Sequence, residues 1–121
     1  MVTIAVQDKF AEILTTLGDL QESVNVALQR YTIEQISEKI TELRKRNSEY
    51  QNRYGLEYPA FSKRIAEDEK FVQHVESAIS KMWERDLADW EFCHKGIEDW
   101  TRKLQSILLT KSRERTGTPG L

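Results

Sequence analysis

Residues 2–7 read VTIAVQ, and they alternate. Val2, Ile4 and Val6 share one face; Thr3, Ala5 and Gln7 share the other. That is the period of a short half-buried strand, and no second convincing strand follows it. A lone strand leaves its N–H and C=O groups unpaired, so it needs a partner from outside its own chain. The alternation therefore predicts pairing between two copies, and hence a homodimer.

The rest of the chain reads as helix. Asp8 is the expected N-cap of a first short helix carrying Phe10, Ile13, Leu14 and Leu17, and Gly18 is its expected stop. Asp19 is the expected cap of the next helix, with Glu22 in capping-box position. That helix is expected from about Leu20 to about Tyr54, because no Gly or Pro interrupts it. Its apolar pattern shifts phase midway. Val24, Ala27, Leu28 and Tyr31 make one stripe; Ile33, Ile36, Ile40, Leu43, Tyr50 and Tyr54 make another. At 100° per residue the stripe centres differ by about 130°. The first stripe is assigned to a compact N-terminal core, the second to packing against a C-terminal helix.

Gly55 closes the long helix, and Pro59 marks a connection followed by a short helix around 60–66. Glu67-Asp68-Glu69 is an acidic start for a further helix. Phe71, Val75 and Ile79 continue it. Trp83, Trp90, Cys93, Ile97, Trp100, Leu104, Ile107 and Leu108 then form one narrow stripe, the strongest periodic signal in the chain. From Ser112 on the pattern fades, which predicts a frayed tail. The expected fold is mainly α: a dimerisation module over 1–35, a hairpin of long antiparallel helices over 36–111, and a tail over 112–121.

Composition narrows the function. The chain has 121 residues, 31% of them charged, with a net charge of −2. A strongly basic nucleic-acid coat is excluded on that balance. A single Cys excludes an intramolecular disulfide framework. No apolar run approaches a membrane span, and MVTIAVQDKF lacks the features of a signal peptide. A cytoplasmic protein with no membrane role is expected.

Few residues offer chemistry. His74, Cys93 and His94 are the soft metal ligands, but neighbouring Cys93 and His94 point about 100° apart on a helix. No metal and no cofactor is expected. Glu84, Asp86, Asp89, Glu91, Glu98 and Asp99 read as a solvated face, without the concave site that paired catalytic carboxylates need. No phosphate loop or nucleophile elbow occurs, so no catalytic residue is assigned. Phe92 stands apart, because it falls opposite the tryptophan stripe.

Strand, short helix, turn and helix, in TIAVQ, DKFAEILTTLG and VNVALQRY, resemble the ribbon-helix-helix fold. The match covers about residues 1–35. In that family paired strands enter the DNA major groove. The resemblance implies that Thr3, Ala5 and Gln7 face bases; Asn25 stands where many members carry Arg. Small proteins of this class resemble prokaryotic antitoxins, so the expected partners are a second copy, a cognate toxin and operator DNA. Phe61, Trp83, Trp90 and Phe92 are the expected toxin-facing anchors. The ribbon carries no Lys or Arg, which supports the alternative: a helical adaptor homodimer without a DNA role.

Overall fold

The computed structural model describes residues 3–117, with side chains described through residue 109. It is mainly α-helical. Among the described residues five helices follow one another: α1 (Asp8–Leu17), α2 (Leu20–Tyr54), α3 (Tyr58–Glu67), α4 (Glu69–Ala78) and α5 (Trp83–Gly117). The chain divides into two compact units, Met1–Gln35 and Ile36–Leu121, with the boundary inside α2.

In the N-terminal unit the expected ribbon is absent among the described residues. Residues 3–7 lie outside any regular element, and Val2 lies outside the described residues. The physical reason is the one that made the strand need a twin: within one chain no second strand meets its backbone groups. The segment instead feeds α1. The Gln7 carbonyl accepts from the amides of Phe10 and Ala11, both at 3.0 Å. Gln7, not Asp8, is therefore the N-cap, and Asp8 opens the first turn. Gly18 takes φ 152°, a region that side-chain-bearing residues avoid. Asp19 caps α2 as expected, its Oδ1 accepting from the Glu22 amide at 2.9 Å.

The expected N-terminal core does not form within the unit. No α1 residue is buried, and among the described residues burial begins only at Ile36.

The C-terminal unit is well packed. Gly55, at φ 74°, ends α2, and its amide donates to the Gln51 carbonyl at 2.8 Å. Pro59 sits in the first turn of α3, where its missing N–H costs nothing. Asp68 caps α4, accepting from the Phe71 amide at 3.1 Å. Tyr54, Phe61, Ile65, Phe71, Val75 and Trp90 form the core. Ile36, Ile40, Leu43 and Cys93 extend the buried surface along α2 and α5.

Two boundaries differ from the sequence reading. The helix expected from Glu67, for which the sequence allows but does not demand a bend near Ser80–Met82, is interrupted between Ala78 and Trp83. There Ile79 and Ser80 both donate to the Val75 carbonyl, and the Ser80 hydroxyl accepts from the Met82 amide. A serine side chain that captures a backbone donor competes with helix continuation. At the other end α5 runs on to Gly117, past the expected fraying at Ser112; residues 118–121 lie outside the described residues.

Candidate interaction surfaces

The second α2 stripe and the α5 stripe face one another. Leu43 meets Gly96, Arg46 and Asn47 meet Asp89 and Trp90, and Arg53 and Tyr54 meet Asp86. Rising numbers on α2 meet falling numbers on α5, so this pair runs antiparallel.

A polar seam flanks the apolar contact. Asp89 accepts from the Arg46 guanidinium and, at 2.6 Å, from the Tyr50 hydroxyl. Asp86 accepts from Arg53 at 2.7 Å and from the Tyr54 hydroxyl at 2.5 Å. The Trp90 indole N–H donates to Asn47 Oδ1 at 2.7 Å. Burial, with the hydrogen bond to Asp89 behind it, pushes the Tyr50 hydroxyl up to about 12; burial and the bond to Asp86 do the same to Tyr54. Asp86 and Asp89 were read as part of a solvated face. They are interhelical struts instead. The signal was present: Asp86, Asp89, Trp90 and Cys93 recur at the same i, i+3, i+4, i+7 spacing as the core stripe. Charge alone hid it.

The expected anchors separate into two kinds. Phe61 and Trp90 are fully buried. The Trp90 ring lies 5.3 Å from that of Phe61 and 5.8 Å from those of Tyr50 and Tyr54. These two side chains offer no surface to a partner in this fold, because the chain's own aromatics already cover them. Trp83 is half-buried and donates to Glu76 at 3.0 Å, across the break between α4 and α5. Phe92 is 62% exposed, with the Arg46 guanidinium 5.8 Å from its ring centroid. It belongs to a shallow groove with Lys39, Leu43, Gly96, Trp100 and Lys103.

The expected base-reading residues Thr3, Ala5, Gln7 and Asn25 are all exposed. No element brings the first three together as a ribbon, and Asn25 accepts a hydrogen bond from Gln21 at 3.2 Å. Arg46 and Arg53 of α2 are engaged by the seam carboxylates. Cys93 is buried, and that burial pushes its thiol up despite the nearby Arg46 charge. His94 lies 3.5 Å from Glu98 and stacks near Tyr58. Among the described residues no three His, Cys, Asp or Glu side chains gather in a metal-binding group. No helix among them is long and apolar enough to cross a membrane.

The surface that the sequence reading missed is on α1. Phe10 is 50% exposed, Ile13 57% and Leu17 76%. Leu28 and Tyr31 of early α2 are exposed as well. Leu28 and Tyr31 were assigned to a core, and within the unit they are a surface.

No family model matches the chain, and no curated protein or solved structure matches it either.

Proposed function

We propose that the protein is a non-catalytic α-helical adaptor, with a folded C-terminal platform and an N-terminal unit built for association. One observation carries this reading. Among its described residues the N-terminal unit has amphipathic helices and no buried residue, so its apolar faces are complete only against another protein surface. The C-terminal unit buries an aromatic core of its own and, among the described residues, leaves no buried side-chain polar atom without a partner, as a scaffold should.

A DNA-binding antitoxin is the competing reading. It drew on a ribbon over 2–7, and residues 3–7 contain no strand and no Lys or Arg. What still supports a toxin-like protein partner is Phe92, a large aromatic exposed in the α2–α5 groove.

Titration of the full chain with duplex DNA from upstream of its own gene separates the two. The adaptor binds weakly, and a Thr3→Ala/Gln7→Ala variant behaves the same. An affinity that falls by orders of magnitude between about 50 and about 200 mM salt, and that this variant weakens, would overturn the adaptor reading.

A further inference from the structure

The adaptor reading leaves open what covers the N-terminal unit. We infer that a second copy of the chain covers it, the α1 and early α2 stripes of two protomers meeting in an all-helical interface about a two-fold axis. The inference rests on that adaptor reading and names its partner.

The area fits a dimer. Phe10 (50% exposed), Ile13 (57%), Leu17 (76%), Leu28 (43%) and Tyr31 (62%) together present roughly 500 Å² of surface. A stable interface of standard size takes about 800 Å² from each partner, and about two-thirds of its core is apolar. These five side chains alone therefore supply the apolar share of one protomer's half.

The charges also allow it. Residues 1–35 carry five acidic side chains (Asp8, Glu12, Asp19, Glu22, Glu34) and two basic ones (Lys9, Arg30). Such a surplus would oppose self-association if the carboxylates edged the contact. They do not edge it on α1. At about 100° per residue, Asp8 and Glu12 lie roughly 150° or more from the centre of the Phe10–Ile13–Leu14–Leu17 stripe. Glu22 lies equally far from the Val24–Ala27–Leu28–Tyr31 stripe. Of the charges nearer the stripe edges, Glu34 stands one helical turn from Arg30, so opposite signs share that edge. An isologous contact brings each stripe against its own kind, and here that places apolar against apolar, with most of the carboxylates outside.

Sedimentation equilibrium of the full chain, from low to high micromolar concentration, tests this. The expected mass is twice 14.2 kDa. An Ile13→Asp/Leu17→Asp variant should weaken dimerisation by about a hundredfold or more, since it places charges in the interface. All three tryptophans lie in α5, so an unchanged tryptophan emission spectrum shows that the C-terminal unit remains folded in the variant. Phe92→Asp should leave the dimer intact. A monomer at every concentration overturns the inference, as does a dimer that survives the double change or is lost with Phe92→Asp. Those results leave the adaptor reading standing with a different protein as its partner. Ribbon-dependent DNA binding overturns that reading and leaves the dimer standing.

Discussion

The two units spend their apolar residues in opposite ways. α1 places Phe10, Ile13, Leu14 and Leu17 on one face and buries none of them. α3, a helix of the same length with as many apolar side chains, buries two, Phe61 and Ile65. Intrinsic helix propensity does not explain that contrast. The difference is what lies opposite each face: Phe61 of α3 meets Phe71 and Trp90, whereas in α1 only Ala11 and Leu14 reach half-burial. An amphipathic helix is thus an instruction to bury a face, and the sequence of one chain does not say whose surface does the burying.

The largest effect should come from removing the centre of the packed unit. Trp90→Ala deletes the ring that touches Tyr50, Tyr54, Tyr58 and Phe61, and it orphans Asn47. A loss of about 3–5 kcal/mol is expected in urea unfolding. The matched change in the other unit, Phe10→Ala, should leave the stability of the C-terminal unit unaltered, whatever it does to association. Equal losses from the two would mean that α1 belongs to the same core.

The polar seam comes next. Asp86 is the more enclosed strut, its side chain 14% exposed against 35% for Asp89. Removing either acceptor leaves a tyrosine hydroxyl and an arginine without their partner. Asp86→Ala should cost about 2 kcal/mol, and Asp89→Ala about half as much because water reaches it. Chemical denaturation of both variants checks the order; a larger loss at Asp89 would contradict the burial argument.

Alkaline pH sharpens the same comparison. The folded values of Tyr50 and Tyr54, about 12, lie above the ordinary 10. The folded state therefore holds their protons more tightly than the unfolded state does. The resulting stabilisation is fully present below pH 10 and is lost as pH rises from about 10 to about 12. Melting temperature followed by tryptophan emission should fall through that window. A Tyr50→Phe/Tyr54→Phe variant should show a shallower fall; an unchanged profile would remove the two hydroxyls as its cause.

How much of this was legible in the sequence depended on whether a signal was local. The cap at Asp19 and the stop at Gly55 act within one helical turn, and residue type alone located them, whereas around the Asp68 cap residue type pointed only to an acidic helix start. The burial of Cys93 followed from periodicity, whereas Trp90 on the same stripe counted among the expected partner anchors. The break at Ile79–Met82 was legible only as a possible bend near Ser80–Met82, because no Gly or Pro marks it and a serine side chain holds the backbone there. Asp86 and Asp89 were misjudged because a carboxylate reads as solvated until its partners on another helix are known. The alternation of residues 2–7 misled for the opposite reason. Six residues can show a period of two without a strand, since pairing, not alternation, makes one.

The smallest effect should come from Gly96, where two tendencies oppose each other. A Cβ added there would stand 2.8 Å from Cδ1 of buried Leu43. Glycine thus lets α5 approach that side chain closely, and crowding it costs about 1–3 kcal/mol. Against that, alanine is favoured over glycine in a helix interior by about 1 kcal/mol. Gly96→Ala alone should therefore destabilise by about 1 kcal/mol. In a Leu43→Ala background the crowding vanishes and only the propensity gain remains, so the same change should become stabilising. A double-mutant cycle reads that reversal of sign directly. If Gly96→Ala stabilises in both backgrounds, Leu43 yields without strain, and the α2–α5 contact is looser here than at Trp90.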